Sequence, residues 1–341
     1  MKIGPIDLNK KILIVAEIGN NHEGDFRLAE EMIGLAAESG ADAVKFQTFR
    51  TELYVSRCDE ERFKRLKSFE LTFEAFKRLK AVADRENVQF LSTAFDLQSA
   101  SFLEGITCAF KIASGDNTFY PLLKHVANTG KPVILSAGLA TLEQLKHARD
   151  LIWNVWKQKN IIQDLAILHC VCSYPVESRY ANLGAIKTIG DTLACTPGYS
   201  DHTSGTVAAV LAVAAGARII EKHFTIDKHY SDFRDHQLSA DPEEFRLMVE
   251  KIREAEVLMG AGNKTPQECE ICNENLVRRS IVARCDIPVG EMLRMDHITW
   301  VRPAGGLAPG EEKSILGRTL KRAVGNGEMI TPDMLNAIDA I

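Results

Sequence analysis

The sequence has no long apolar run and no leader-like start. Its apolar stretches are far shorter than the roughly 18 to 20 residues that a helix needs to cross a bilayer. The opening residues, Met-Lys-Ile-Gly-Pro, lack the apolar core of a signal peptide. We therefore expect a cytoplasmic protein without a membrane partner.

An excess of basic charge is also absent. The chain carries 41 Lys and Arg against 46 Asp and Glu, a formal net charge of -5, and it has no basic tail. A nucleic-acid-binding surface needs clustered positive charge, so no nucleic-acid partner is expected. With 45% apolar and 26% charged residues, the composition is that of a globular protein, and an enzyme is the expectation.

Cysteines are present, but not in a metal-binding pattern. There are eight of them, and in a long chain without a secretion signal we expect free thiols. Cys269 and Cys272 have the spacing of half a zinc site, yet no second Cys-x-x-Cys or paired His follows at ligand spacing. Cys170 and Cys172 lie at the end of a predicted strand, where they would face the same side.

Apolar periodicity indicates strands that alternate with helices as far as residue 259. Eight alternations predict a parallel sheet, and the count favours a closed (β/α)₈ barrel over an open doubly wound sheet. No Gly-x-Gly-x-x-Gly follows the first strand, so an open nucleotide-binding sheet has little support. The predicted strands are 12–18, 43–48, 89–93, 109–114, 133–136, 165–171, 194–199 and 218–224; the predicted helices are 25–39, 73–86, 97–103, 120–129, 142–156, 183–190, 206–215 and 242–259.

The composition changes after this series. We predict a barrel domain over 1–262, a linker over 263–277 and a small second domain over 278–341, where short β-prone pieces are punctuated by Gly and Pro. A unit of about 60 residues is marginally stable alone unless it docks on a larger one.

Polar and ionisable side chains collect at the carboxyl end of every predicted strand. Barrel enzymes keep their active sites at that end, so the pattern predicts an active site rather than a series of solvated loops. These side chains are Glu17, Lys45, Gln47, Ser92, Thr93, Lys111, Ser114, Asp116, Ser136, His169, Tyr174, Ser200, Asp201, His202, Glu221, Lys222 and His223.

Two lysines of this set, Lys45 and Lys111, indicate an anion site. Together with neighbouring hydroxyl groups they form a suitable cradle for a small phosphorylated carboxylate. A barrel lysine can instead form a Schiff base, which requires a desolvated amine with a depressed pKa. The two histidines nearby favour a metal-assisted reaction over the Schiff base.

His202 and His223 close two successive predicted strands, which makes them candidate metal ligands. Their separation excludes the zinc-helix pattern His-Glu-x-x-His, so the fold has to bring them together. With carboxylates such as Glu17 nearby they suit Mn²⁺, Fe²⁺, Co²⁺ or Mg²⁺ better than a closed zinc site. Such an ion would polarise an aldehyde oxygen as a Lewis acid. His22, in the polar turn after the first strand, would bind substrate or cap the next helix.

Over nearly its whole length the chain resembles the sialic acid synthases, of the nonulosonic acid synthase group. The motifs that carry the resemblance are Ala16-Glu17-Ile18-Gly19-x-Asn21-His22-x-Gly24, Val44-Lys45-Phe46-Gln47, Ser92-Thr93-x-Phe95, Lys111-Ile112-Ala113-Ser114, Ser200-Asp201-His202-Thr203, Glu221-Lys222-His223-Phe224-Thr225, Asp235-His236, Arg278-Arg279-Ser280, Pro288-x-Gly290-Glu291 and Val301-Arg302-Pro303.

The resemblance implies a (β/α)₈ barrel with a C-terminal antifreeze-like domain, in a domain-swapped homodimer. The implied reaction condenses phosphoenolpyruvate with an open-chain 2-acetamido hexose, commonly N-acetylmannosamine, and releases phosphate. The implied cofactor is Mn²⁺ or a similar divalent ion such as Mg²⁺ or Co²⁺. The implied roles are phosphoenolpyruvate binding by Lys45, Thr93, Lys111, Ser114, Ser136 and Ser200, metal binding by His202 and His223, sugar binding by Gln47, Tyr174, Asp235 and the neighbouring subunit's Arg302, and catalysis involving Glu17, Asp116 and Asp235.

Three features depart from the family pattern. Asp116 stands where the family usually has Glu, Phe233 and Arg234 replace a small pair, and Cys172 replaces a residue that is often polar. All three fall on the expected sugar side, so the identity of the sugar is left open between N-acetylmannosamine and a 2,4-diacetamido-6-deoxyhexose.

Parts of the sequence are also compatible with two other functions. One is another phosphoenolpyruvate-dependent synthase of this barrel class, which makes a phosphorylated octulosonate or heptulosonate. The other, a non-enzymatic ice- or carbohydrate-binding protein, is suggested by the second domain alone and leaves the polar strand ends unexplained.

Overall fold

A computed structural model describes residues 1–336 and divides the chain into two compact units, Met1–Gly260 and a second one that starts at Ala261. Eight parallel strands of the first unit form a closed barrel, in which the last strand pairs with the first. The predicted barrel is thereby confirmed. Its strands are β1 Leu13–Gly19, β2 Ala43–Thr48, β3 Gln89–Ala94, β4 Phe110–Ile112, β5 Val133–Ser136, β6 Leu165–Cys170, β7 Thr196–Asp201 and β8 Ile219–His223.

Helices follow the strands as expected, with additions in the loops. Two helices that the sequence analysis did not predict, Thr51–Tyr54 and Glu60–Phe69, precede the helix that connects β2 to β3, and a third, Arg234–Leu238, follows β8. The remaining helices of this unit are Phe26–Glu38, Phe73–Arg85, Leu97–Leu103, Tyr120–Asn128, Leu142–Gln158, Gly184–Leu193, Val207–Ala214 and Pro242–Met259.

Two strands differ from their predicted bounds by more than one residue at an end. β4 stops at Ile112, because Ser114–Asp116 turns into a 3₁₀ helix. β7 begins two residues later than predicted and continues to Asp201, because Ala194 has a left-handed backbone (φ 49°) that ends the preceding helix. The second difference moves Ser200 and Asp201 from the predicted loop into the barrel wall.

Side chains alternate between the barrel lumen and the surrounding helices, as the two-residue period of a strand requires. Leu13, Val15, Leu91, Ile134 and Ile219 belong to one apolar cluster in the lumen. Residues Ile3 and Leu8 join this cluster from an unpredicted hairpin whose strands are Lys2–Ile3 and Ile6–Asp7. The amino end of the lumen is therefore packed solid, and open space lies at the carboxyl end.

The same alternation corrects part of the predicted strand-end set. Asp201 and Lys222 form an ion pair of 2.9 Å with side chains 0% and 1% exposed, and neither lines the cavity at the carboxyl end. Ser92 bonds Thr48 (2.7 Å), and His169 bonds the carbonyl of Ala181 (2.8 Å). These side chains stabilise the barrel wall because they occupy the opposite strand face from their site-lining neighbours.

The second unit has its own small core, which includes Ile281, Leu293, Ile298 and Val324. The strands β9 Ser280–Ala283 and β10 Ile298–Val301 pair antiparallel. The predicted linker contains two short exposed helices, Glu268–Ile271 and Glu274–Val277, and the last five residues of the predicted second domain lie outside the described ones.

The buried Asp201–Lys222 pair gives a stability prediction. We expect Asp201→Ala to lower the free energy of unfolding of the barrel by about 3 to 5 kcal/mol, because it leaves a buried ammonium group unpaired. Urea denaturation followed by circular dichroism measures the effect. Asp191→Ala, which breaks the exposed Lys187–Asp191 pair of 2.6 Å, should cost no more than about 1 kcal/mol. Equal losses in the two variants would contradict the expectation.

Candidate active site

A cavity of about 420 Å³ opens at the carboxyl ends of the barrel strands. Every predicted site residue except Arg302 lines it, whereas Arg302 is an exposed residue of the second unit. The roles assigned by resemblance stay predictions, but the fold does bring these side chains together. The cavity-lining residues among them are Glu17, Lys45, Gln47, Thr93, Lys111, Ser114, Asp116, Ser136, Tyr174, Ser200, His202, His223 and Asp235.

The floor of the cavity is a cluster of four buried charged groups. The ammonium nitrogen of Lys45 lies 2.6 Å from a Glu17 carboxylate oxygen and 3.7 Å from one of Glu221. The ammonium nitrogen of Lys111 lies 3.7 Å from the other Glu221 oxygen. Glu221 therefore bridges the two lysines, a position that sequence reasoning did not assign to it although it belonged to the predicted strand-end set.

Hydroxyl groups complete the polar lining around this charge cluster. Lys45 donates to Thr93 (3.1 Å) and Lys111 donates to Ser136 (2.6 Å). Ser200 donates to Glu221 (2.9 Å). Each side chain comes from a different strand, so an anion here would meet donors from several directions at once.

The two carboxyl groups of the cluster differ in their affinity for protons. Burial raises the pKa of Glu17 to about 7, although Lys45 opposes the rise. Burial also acts to raise the pKa of Glu221, but Lys111 and Lys45 outweigh it and lower the pKa to about 2. Glu221 is therefore ionised near neutral pH, whereas Glu17 can gain or lose a proton there.

The two lysines are shifted in opposite directions. Burial lowers the pKa of Lys111, and the nearby charge of Lys45 adds to the effect. Burial acts in the same direction on Lys45, but Glu17 and Glu221 overcome it and raise its pKa. When both lysines are protonated, two ammonium groups face the ionised Glu221, so the floor is positively charged whenever Glu17 holds its proton.

His202 and His223 lie beside each other, with ring centroids 5.5 Å apart. Nδ1 of His202 is 2.8 Å from the carbonyl oxygen of Val171, which can only accept, so Nδ1 carries the hydrogen and Nε2 keeps its lone pair. Nδ1 of His223 is buried without a hydrogen-bond partner. Burial lowers the pKa of both imidazoles, to about 4 for His202, so both are neutral, as a metal ligand must be.

This pair fits an open divalent-metal site. Within residues 1–336 no group of three or more His, Cys, Asp and Glu side chains is arranged to hold a metal ion. Two imidazoles would therefore supply the protein ligands, and the other coordination positions would fall to water or substrate oxygens.

The wall beside the histidines carries the predicted sugar-binding groups, with the ring centroid of Tyr174 4.3 Å from that of His202. Arg234 lies over the ring of Tyr174 at 4.9 Å, and its Nε is 3.3 Å from the carboxylate of Asp235. Gln47 donates to Glu17 (3.2 Å) and accepts from Asn20 (2.8 Å). This wall therefore presents a carboxylate, a guanidinium and an amide to a polyhydroxylated ligand.

The three departures from the family pattern all lie in the cavity. Burial raises the pKa of Asp116 to about 6, and Lys111 opposes it. A hydrogen bond from Cys170 lowers the pKa of the Cys172 thiol to about 6. The wall is closely packed here, since a Cβ atom on Gly138 would lie 2.5 Å from the sulfur of Cys172.

Sequence reasoning missed the cavity-lining residues that come from the long loop after β2. The unpredicted helix Glu60–Phe69 brings Arg62, Arg65 and Leu66 to its mouth, and Tyr54 comes from the short helix before it. The cap Asp59 followed by Glu60 and Glu61 was a usable signal for that helix. Its place at the cavity mouth was not readable, because it depends on the tertiary path of a long loop.

Fold and cavity define the class: this is a (β/α)₈ barrel enzyme, with its ionisable groups at the carboxyl ends of the strands. The described residues contain no helix both long and apolar enough to span a membrane. The NeuB family model matches residues 32–264, and the SAF domain model matches residues 278–336. The chain belongs to the NeuB family, which confirms the resemblance, and its second unit contains a SAF domain.

Similar proteins cover almost the same length. An uncharacterized protein of Methanocaldococcus jannaschii is 43% identical over 94% of both chains. The N,N'-diacetyllegionaminic acid synthase of Legionella pneumophila is 37% identical over 98% of both chains. A crystal structure of the N-acetylneuraminic acid synthetase of Leptospira borgpetersenii, in complex with citrate, matches with TM-score 0.75 and 35% identity, covering 80% of this chain and 94% of that one.

The metal-site hypothesis can be tested by binding alone. We expect His202→Ala and His223→Ala each to weaken Mn²⁺ binding by at least about 100-fold, because each removes one of two imidazole ligands. Titration calorimetry with Mn²⁺ measures the affinity, and His229→Ala, at an exposed position, is the matched control. Unchanged Mn²⁺ affinity in either cavity variant would remove that histidine from the ligand set.

Asp116 gives a prediction about pH. Its pKa in the folded chain, about 6, lies above the ordinary value of 3.8, so the folded state binds this proton more tightly and loses stability as the pH rises from about 4 to 6. Asp116→Asn stays neutral and should exceed the wild type in unfolding free energy by about 1 to 3 kcal/mol at pH 7.5. At pH 4 the advantage should largely vanish. Urea denaturation of both proteins at the two pH values measures the difference. If Asp116→Asn were more stable than the wild type by the same amount at both pH values, the raised pKa of Asp116 would be refuted.

Proposed function

We propose that this protein condenses phosphoenolpyruvate with an open-chain N-acetylated hexose to give a nonulosonic acid and phosphate. The observation that carries the proposal is the pair Lys45 and Lys111, with its ring of hydroxyl groups, beside two neutral histidines in one cavity. Two of the similar proteins are named as synthases of such acids, which supports the same reaction. We propose N-acetylmannosamine or a 2,4-diacetamido-6-deoxyhexose as the sugar.

Phosphoenolpyruvate suits the charged floor of the cavity. Its carboxylate and phosphate need cationic partners, and Lys45 and Lys111 are held by Glu17 and Glu221 within reach of the same space. Hydroxyl groups of Thr93, Ser136 and Ser200 would donate to the remaining oxygens. The guanidinium groups of Arg62, Arg65 and Arg234 at the mouth would attract the anion from solution.

The reaction requires one new C–C bond and the cleavage of one C–O bond. The methylene carbon of phosphoenolpyruvate attacks the aldehyde carbon of the sugar, and water adds to the central carbon, which then has cationic character. The tetrahedral adduct breaks its bond to the phosphate oxygen, so phosphate leaves and a ketone remains. The added water loses both of its protons overall; the aldehyde oxygen gains one, and the departing phosphate takes the other.

The protein would hold the reactants and move these protons. Fixed positive charge at Lys45 and Lys111 stabilises the anionic adduct without reorganisation. Glu17, with a pKa of about 7, can hold or release a proton near neutral pH, as can Asp116 with a pKa of about 6. A divalent cation, Mn²⁺ by preference over Mg²⁺ or Co²⁺, held by His202 and His223, would supply Lewis-acid polarisation of the aldehyde.

The sugar would lie along Gln47, Tyr174 and Asp235. From the family resemblance we further propose a domain-swapped homodimer, in which Arg302 of one subunit binds the acetamido group of the sugar in the other subunit's barrel. Among the described residues of the first unit, this wall already offers a guanidinium and a carboxylate, those of Arg234 and Asp235, to the sugar.

Phosphate release tests the proposal directly. With Mn²⁺ and phosphoenolpyruvate, the protein should release phosphate only when N-acetylmannosamine or a 2,4-diacetamido-6-deoxyhexose is added. Lys111→Met should lower kcat by about 100-fold or more, because it removes a fixed charge that stabilises the adduct. Lys187→Met, at an exposed site outside the cavity, should match the wild type. No release with any acetamido hexose, or equal release without one, would overturn the proposal.

A further inference from the structure

The loop after β8, residues 226–239, carries three groups of the sugar wall, namely Phe233, Arg234 and Asp235. Its base is closed by backbone hydrogen bonds, from Thr225 to the carbonyl of Ala240 (3.0 Å) and from Ala240 to that of His223 (2.8 Å). Between these points the loop contains one short helix, Arg234–Leu238, to which Asp235 belongs. A side-chain contact from outside the loop is therefore needed to fix the direction in which Asp235 points.

Glu23, in the turn after β1, makes that connection. One carboxylate oxygen of Glu23 accepts hydrogen bonds from Nε2 of His236 (3.0 Å) and from the hydroxyl group of Ser231. Ser231 in turn accepts from the backbone nitrogen of Phe233 (3.1 Å). A single carboxylate thus holds the loop at two points, on either side of Phe233, Arg234 and Asp235.

His236, the hydrogen-bond partner of Glu23, is itself held in place by a second contact. Its side chain is fully buried, and Nδ1 lies 2.6 Å from the hydroxyl oxygen of Thr225 at the base of the loop. His236 also follows Asp235 directly, and its backbone nitrogen bonds the carbonyl of Phe233 (3.1 Å). Because the imidazole is fixed on both sides, the backbone of its neighbour Asp235 is fixed as well.

We infer that Glu23 and His236 are positioning residues for the sugar wall, and that they act through the loop and do not touch the substrate. Neither residue lines the main cavity, whereas the loop residues between their contacts do. Among the described residues, the side chains of Glu23 and His236 hydrogen-bond only each other, Ser231 and Thr225, and none of the floor residues around Lys45 and Lys111. The inference that it governs sugar binding rests on the proposed function, but the attachment of the loop does not.

The test uses Glu23→Ala, the conservative Glu23→Gln and the control Glu38→Ala, which removes an exposed carboxylate at the end of the first helix. In Glu23→Ala we expect KM for the acceptor sugar to rise about 10- to 100-fold, because a shift of about 1 Å in a substrate-positioning group has effects of that size. KM for phosphoenolpyruvate should change less than about twofold. Glu23→Gln keeps an acceptor oxygen and should recover part of the loss.

Hydrogen exchange supplies a readout that does not depend on turnover. The amides of Phe233, His236 and Ser239 should exchange at least about tenfold faster in Glu23→Ala than in the wild type, while the amides of β1 and β8 keep their protection. Unchanged exchange in the loop would overturn the positioning role, even if no sugar proves to be a substrate. Faster exchange with equal rises in KM for both substrates would overturn the assignment to the sugar wall. Absence of turnover in the wild type would contradict only the proposed reaction.

Discussion

Four buried ionisable groups at the carboxyl end of the barrel, those of Lys45, Lys111, Glu17 and Glu221, constrain the rest of the site. Removing ions from water costs several kcal/mol for each, unless partners with good geometry offset it. Glu221 provides that offset for both lysines, at 3.7 Å from each ammonium nitrogen. Only one of the two carboxyl groups is firmly ionised. When both lysines are protonated, the cluster therefore has an excess of positive charge that an anionic ligand can neutralise.

The two histidines beside this floor have a different requirement, because a histidine must be uncharged to bind a metal. His202 and His223 are kept neutral by burial, which leaves lone pairs for a cation next to an anion site. Loops rather than strands provide the outer wall, and it is there that Asp116, Cys172 and Arg234 lie. A rigid floor for one reactant and a loop-built wall for the other would let sugar preference vary among similar barrels while the chemistry stays fixed.

The sequence allowed the barrel and most of the cavity lining to be predicted, since strand alternation and polar strand ends are local patterns. It could not distinguish Glu221 from Lys222, because adjacent residues at a strand end face opposite sides and the register was not known. The arginines of the helix Glu60–Phe69 and the contact between Glu23 and His236 escaped prediction for another reason. Both depend on where long loops run in three dimensions, and no periodicity encodes that.

Direct binding of phosphoenolpyruvate to the charged floor, measured by titration calorimetry without a sugar acceptor, tests the central claim. The wild type, Lys111→Met and the exposed-site control Lys187→Met are compared. We predict that Lys111→Met weakens binding by at least about 30-fold, because it removes one partner of a buried charge cluster, and that the control binds like the wild type. Equal affinity for phosphoenolpyruvate in all three proteins would show that the lysine cluster is not the anion site.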